Sequence, residues 1–277
     1  MHTASSQNTA KRMKIRFKSF SSGSCGNCYF VGVEKDGRTE GILIDAGVSP
    51  RRLKKELAAE KLDFDNFSAI LVTHDHLDHI RSLGSYCKHV MKPVYASKAL
   101  VGALSRHFIT GESLLPCRRI LEEGWNVITP DISVRYFELP HDATQTVGFA
   151  VLAAGHRYVH ITDCGRMTQE ALEWCRQADT LVLESNYDTD MLLNGPYPKE
   201  LQDRIRNGYG HLSNRECAEA LRAVAHPGLR YVFLCHLSEH NNTPQLALKS
   251  ACEALSCWET VRVVPLPRQT ASPMYEL

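Results

Sequence analysis

No run of apolar residues in this 277-residue chain is long enough to cross a bilayer, and none near the N-terminus has the form of a secretory h-region. Charge of either sign is not in excess. The chain has 32 Lys+Arg against 31 Asp+Glu, a net charge of +1 that gives no global pull toward nucleic acid or anionic lipid. Any such binding must come from a local patch, and the first sixty residues are locally basic, with eleven Lys/Arg against six Asp/Glu. Internal repeats and low-complexity linkers are also missing. Cysteine, in contrast, is plentiful at ten residues. With no export signal, these are expected to be reduced thiols in a cytoplasmic protein. Cys25 and Cys28 form a CxxC, but no second pair or partnering histidines stand near it, which argues against a zinc ribbon. The 43% hydrophobic and 23% charged content is ample for a packed core and excludes wholesale disorder. Residues 1–12 are small, polar and basic without apolar periodicity and are expected to be a disordered tail; residues 13–277 read as a single α/β domain.

The patterning sets out the elements. Residues 14–20 alternate polar and apolar, as a half-exposed strand does, and residues 21–27 read as a turn-rich loop. Strands follow at 28–34 and 41–44, joined through the Asp36-Gly37 hairpin signal. Ser49 and Pro50 cap a helix through residue 59. Further helices are expected over 80–87, 97–107, 168–177, 198–206, from the Ser213/Glu216 capping box to about 224, and from Thr243-Pro244 to about 255. Strands are expected at 69–73, 94–96, 132–139, 147–152, 158–162, 180–183, 231–234 and 261–264. Strand runs flanked by helices on both sides imply sheets inside and helices outside.

Residues 69–73 read as a buried strand that ends abruptly in His74-Asp-His-Leu-Asp-His79. In α/β folds the carboxyl edge of a sheet is where sites are placed. His74 and His76, two apart, project to the same side of an extended backbone, and a helical turn beginning at Leu77 would swing Asp78 and His79 toward them. Neutral imidazoles with a carboxylate suit zinc, manganese or iron rather than calcium or magnesium. The bland alternative, a histidine-rich surface turn, leaves the H-x-H-x-D-H spacing and its place after a strand unexplained. Other ligands of such a centre should also stand at strand ends. His141, Asp163 and His236 each take a polar position directly following a β-type run.

These motifs together resemble the metallo-β-lactamase superfamily over nearly the whole chain: Asp45 in Ile42-Leu-Ile-Asp-Ala-Gly47 matches the first motif, residues 73–79 the second, His141 the third, Asp163 the fourth and His236 the fifth. The resemblance implies a four-layer αβ/βα sandwich and two divalent metal ions. His74, His76 and His141 would hold one ion, Asp78, His79 and His236 the other, and Asp163 would bridge them. Asp45 would orient a ligand imidazole through a hydrogen bond, and Glu184 either does the same or pairs with an arginine. Asp78, Asp163 and His211 are the candidates for roles at the reacting centre. Within the superfamily, residues 22–27, 184–188, 210–214 and 236–241 resemble the YycJ/WalJ group of bacterial exonucleases, which implies 5′-directed hydrolysis of DNA from its ends. The alternatives are a small-molecule hydrolase, namely a cyclic phosphodiesterase or thioesterase, and an RNA-processing nuclease.

Two metals would activate a water near neutral pH and neutralise phosphate oxygens as charge builds, so no side-chain nucleophile is required. The N-terminus of the helix opening at Ser213 is an anion site in waiting, and His211, Ser213 and Asn214 are expected to receive a substrate phosphate. His240 is open to three roles: ligand in place of His236, acid for the leaving group, or plain loop residue. Tyr187, Tyr197, Lys199, Arg204 and Arg206 combine basic and aromatic character suited to a polynucleotide. His160, inside a strand, reads as a satisfied interior histidine.

Overall fold

The computed structural model describes residues 13–277; the N-terminal tail expected for residues 1–12 lies outside the described residues. Sheet one contains β1 (Lys14–Gly23), β2 (Gly26–Lys35), β3 (Arg38–Ile44), β4 (Phe67–Leu71), β5 (Val94–Ala96) and β6 (Arg118–Ile120). Sheet two contains β7 (Asn126–Thr129), β8 (Ile132–Leu139), β9 (Thr146–Ala153), β10 (His156–Ile161), β11 (Thr180–Glu184), β12 (Tyr231–Cys235) and β13 (Arg262–Pro265); β14 (Tyr275–Glu276) returns to pair with β1 in sheet one. In each sheet the first strands pair antiparallel and the later ones parallel: β3 through β6 in sheet one, β10 through β13 in sheet two. Parallel pairing requires crossovers, which the chain makes as helices packed on the outer faces.

The helices are α1 (Pro50–Ala59), α2 (Leu77–Ile80), α3 (Leu83–His89), α4 (Lys98–Arg106), α5 (Gln169–Cys175), α6 (Thr189–Asn194), α7 (Lys199–Arg206), α8 (Asn214–Val224) and α9 (Pro244–Ala254). Three buried apolar clusters define the layers. Phe17, Tyr29, Val31, Ile42 and Ile44 of sheet one interlock with Phe149, Val151, Tyr158, Val182 and Phe233 of sheet two, and the rings of Phe17 and Phe233 lie 4.5 Å apart. Leu53 and Leu57 of α1 join Leu100 and Leu104 of α4 over the outer face of sheet one. Ala171, Leu221 and Ala251 of α5, α8 and α9 cover the outer face of sheet two. The chain therefore has the helix–sheet–sheet–helix sandwich expected. Each fully buried large side chain contributes roughly 1.5–3 kcal/mol.

Three local expectations are corrected. β1 is not half exposed: from Phe17 onward every residue is buried, and even Lys18 is enclosed, its Nζ 2.6 Å from Glu60 at the end of α1. Residues 21–27 are not a loop but the two strand ends of a tight β1–β2 hairpin, turning at Ser24 and Cys25. The helix expected over 80–87 is broken in two. Ala46 N donates to His79 O at 2.7 Å and Ser82 N to Ala46 O at 3.1 Å, so the segment after β3 captures the backbone that would have continued the helix. β6, β7 and β14 have no counterpart among the expected strands; all three lie at sheet edges, and β6 is exposed throughout, so no buried face marks it in the sequence.

Candidate metal centre

Strand ends converge at one rim of the sandwich. β3 delivers Asp45, β4 the 73–79 segment, β8 His141, β10 Asp163, β11 Glu184 and β12 His236. Asp45, Asp163 and His236 have φ of 63°, 51° and 54°. Left-handed backbone is uncommon for non-glycine residues and costs roughly 1–3 kcal/mol each, strain that gathers at functional sites. It turns each side chain off the strand axis and into the rim. Gly47 completes the approach: a Cβ there would overlap the Asp78 carbonyl oxygen and the Asn27 amide nitrogen.

The hydrogen bonds on the outer nitrogen of each imidazole determine which nitrogen faces inward. Thr73 Oγ1 donates to Asp45 Oδ2 (2.8 Å), so it accepts from His74 Nδ1 (3.0 Å), and His74 Nε2 keeps its lone pair. His76 Nε2 donates to the Asp142 carbonyl at 3.2 Å and His141 Nδ1 to the Gly210 carbonyl at 2.7 Å. The remaining nitrogens, His74 Nε2, His76 Nδ1 and His141 Nε2, are thus acceptors; the last two lie 3.3 Å apart. On the other side, His79 Nδ1 donates to Asp45 Oδ2 at 2.7 Å and His236 Nδ1 to Glu184 Oε1 at 3.1 Å. Their Nε2 atoms face Asp78 Oδ2, each at 3.4 Å. Asp163 lies between the two sets, its Oδ2 3.1 Å from His79 Nε2 and its Oδ1 3.7 Å from His141 Nε2.

In each of the groups His74/His76/His141, His74/His79/Asp163 and Asp78/His79/His236, one ligand atom per residue lies within 4.8 Å of the others, as binding one cation requires. A fourth group, Asp163/Glu184/His211/His236, meets the same criterion. His74 Nε2 is a buried nitrogen with no hydrogen-bond partner among the described residues, and an orphaned buried acceptor is costly unless an ion takes it. The donor set is therefore fit for divalent metal.

The electrostatics favour the ligand forms of His74, Asp78 and Asp163, whereas His236 holds a proton that a cation would have to displace. Burial, reinforced by His79 next to it, holds His74 well below the ordinary imidazole range, hence neutral. Burial alone would raise Asp78 and Asp163, but neighbouring imidazoles outweigh it and both stay well below the usual carboxylate range. For His236 the balance runs the other way: burial lowers it, Asp163 and the hydrogen-bonded carboxylates outweigh that, and its pKa is pushed up to about 10.

Among the described residues Glu184 pairs with no arginine. Its Oε1 accepts from His211 Nδ1 at 2.8 Å as well as from His236, and its Oε2 accepts from the backbone of Cys164 (2.8 Å) and Leu212 (3.2 Å). His211 lines the cleft above the cluster, with its Nδ1 3.6 Å from Asp163 Oδ1. Ser213 and Asn214 require correction as phosphate groups, because neither lines that cleft. Ser213 N donates to Glu216 Oε2 at 2.8 Å, Asn214 N to Tyr187 O at 2.7 Å and Glu216 N to Ser213 Oγ at 3.1 Å. The Asn214 side chain is spent on Ser185 and Asn242. The Asn214 and Glu216 N–H groups at the helix end are thus satisfied internally. His240 is exposed beside Tyr197, away from the cluster, while His236 is inside it. Of the proposed polynucleotide contacts, Tyr197 and Arg204 line the cleft; Tyr187 is buried and Arg206 pairs with Asp203 at 3.0 Å. His160 is interior, held by Tyr158 at 2.9 Å, but its Nε2 has no partner among the described residues.

Two participants escaped sequence reasoning. Asn27, fully buried, places its amide Nδ2 3.0 Å from Asp78 Oδ2 and 2.8 Å from His79 Nε2, held by Gly23 and Tyr29. Asp142 puts a carboxylate 3.6 Å from His141 Nε2 and ties it to Arg204 at 2.5 Å. The first is separated from Asp78 by 51 residues that include β3, α1 and β4, and the second stands next to a candidate already chosen, so neither had a signal of its own.

Residues 40–237 match the beta-lactamase superfamily domain. The chain is 32% identical over 243 residues to exodeoxyribonuclease YycJ of Bacillus anthracis, covering 88% of this chain and 90% of that protein. It is 27% identical over 268 residues to exodeoxyribonuclease WalJ of Streptococcus pneumoniae, covering 95% and 98%. Among solved structures, the metallo-beta-lactamase fold protein YhfI of Bacillus subtilis superposes with a TM-score of 0.69 at 14% identity, covering 96% of this chain and all of that one.

Proposed function

Because the chain belongs to the beta-lactamase superfamily, with the metallo-β-lactamase fold of a metal-dependent hydrolase, we propose that it is a two-metal phosphodiesterase that degrades DNA from an end, with 5′ polarity, in the cytoplasm. The observation that carries this reading is the pair of ligand groups, His74/His76/His141 and Asp78/His79/His236, with Asp163 between them on the floor of a single cleft. The names of the curated relatives supply the polymer. Zinc, manganese and iron all suit the donor set.

Two divalent ions held there would supply Lewis acidity, activating water and neutralising phosphate charge. The protein's own residues do the rest. Asp45, through His79 and Thr73, and Glu184, through His236, fix the tautomers that present Nε2 to the centre. His211, oriented by Glu184 at the cleft wall, contacts a substrate phosphate oxygen. Nothing in this scheme needs a side-chain nucleophile, and the buried thiols Cys164 and Cys235 are held protonated, their pKa values raised well above the ordinary thiol range by burial.

The test is incubation of metal-reconstituted protein with end-labelled single- and double-stranded DNA and RNA. Mononucleotides should leave from the 5′ end of DNA, with binding that weakens steeply as salt rises because counterions are released. They should not appear with a His76→Ala/Asp78→Ala double variant. Degradation that persists in the double variant, or none in the wild type, would overturn the reading. His211→Ala with unchanged turnover would remove His211 from the scheme.

A further inference from the structure

The eight-residue helix α7 carries an apolar stripe yet buries none of its residues. Leu201 and Ile205 are four positions apart and so share one face; both line the cleft over the imidazole cluster, where Leu201 remains 37% exposed. An apolar stripe that no core covers calls for another apolar partner. Tyr197, just ahead of α7, and Leu237, just after β12, extend the same wall. The wall is pinned. Arg204 Nε donates to Asp142 Oδ2 at 2.5 Å and His211 N to Ile205 O at 2.8 Å. A Cβ at Gly210 would overlap the Ile205 carbonyl oxygen, so the chain behind the helix approaches as closely as glycine allows. These ties run to the segments bearing His141 and His211, which sets the apolar wall at a fixed height across from the ionic one. The cleft between them encloses about 280 Å³, at the small end for ligand sites, with room for one nucleotide unit rather than several.

The geometry points to a nucleoside subsite: Tyr197, Leu201 and Ile205 receive the sugar and base of the nucleotide whose phosphate lies at the imidazole cluster. This rests on the phosphodiesterase reading above. A phosphodiester bearing a planar, largely apolar group matches a cleft with one ionic and one apolar wall; a phosphodiester bearing only a methyl group leaves the apolar wall uncovered.

The experiment compares thymidine 5′- and 3′-(p-nitrophenyl) phosphates with methyl p-nitrophenyl phosphate, all of which release p-nitrophenolate. One thymidine ester should exceed the methyl ester in kcat/KM by about ten-fold, chiefly through KM, as expected for contact with one base. In Leu201→Ser and Tyr197→Ser that preference should shrink, and in the double variant it should approach unity. In parallel, calorimetry should show thymidine 5′-monophosphate binding about ten-fold more tightly than inorganic phosphate, an excess that the same variants remove. If none of the esters is hydrolysed, the phosphodiesterase reading fails, and the calorimetry still judges the subsite. Equal affinities for the two phosphates, or a preference that survives in both variants, would overturn the nucleoside assignment.

Discussion

Asp45→Asn should weaken metal binding through the tautomer of a neighbour rather than through any lost ligand. The Asp45 carboxylate is fully buried and accepts from Thr73 N (2.8 Å), Thr73 Oγ1 (2.8 Å) and His79 Nδ1 (2.7 Å). Asparagine keeps the shape but turns one acceptor oxygen into a donor. With its oxygen retained by Thr73 N, its NH₂ meets His79 Nδ1, and two N–H groups cannot face each other. Moving the proton to Nε2 would suit Asp163 Oδ2 at 3.1 Å but would set it against the Asn27 amide Nδ2 at 2.8 Å, so neither tautomer is free of an N–H facing an N–H. Presenting Nε2 to an ion then keeps the Nδ1 proton against the asparagine NH₂. Loss of an outer hydrogen bond to a ligand imidazole typically costs 10–100-fold in affinity, or about 1.4–2.7 kcal/mol. The assay is competition between the protein and a fluorescent chelator for zinc, with both binding steps resolved. The Asp78/His79/His236 step should weaken by that factor. The His74/His76/His141 step should change less, being touched only through Thr73. A variant that binds both ions within two-fold of the wild type would refute the reasoning.

Gly47→Ala tests the close approach behind the centre. Its Cβ would collide with backbone at Asp78 and Asn27, and overpacking of this kind costs about 1–3 kcal/mol, read as a lower urea midpoint; an unchanged midpoint would show that the two segments are not held by contact. His160 sets an acid limit. Burial lowers its pKa to about 3, while an unfolded histidine titrates near 6.5. Below pH 6.5 the unfolded state takes up a proton that the folded state refuses, so stability falls as pH falls. Between pH 7 and pH 5 the wild type should lose about 2 kcal/mol more than His160→Gln. Parallel urea midpoints across that range would contradict the burial argument.

Much of the centre was legible because strand ends announce themselves. His74, His141, Asp163 and His236 each follow an apolar run, and the αβ/βα layering follows from strands alternating with amphipathic helices. What could not be read depended on contacts far apart in sequence. β1 looked half exposed because its alternation is real, but α1 and Glu60 enclose its polar side. Asn27 reaches Asp78 across 51 residues only once the hairpin has formed. The Ser213/Glu216 capping box was read correctly as a helix start. The same box works against an anion site, because Glu216 takes the Ser213 N–H, and Tyr187, through a contact no local pattern encodes, takes that of Asn214.

The central claim is that seven side chains on one rim hold two ions. Metal content per chain, measured by plasma mass spectrometry after reconstitution and gel filtration, tests it most directly. Two ions are predicted for the wild type and one for each of His74→Ala and His236→Ala. Fewer than two in the wild type, or two retained by both variants, would contradict the account.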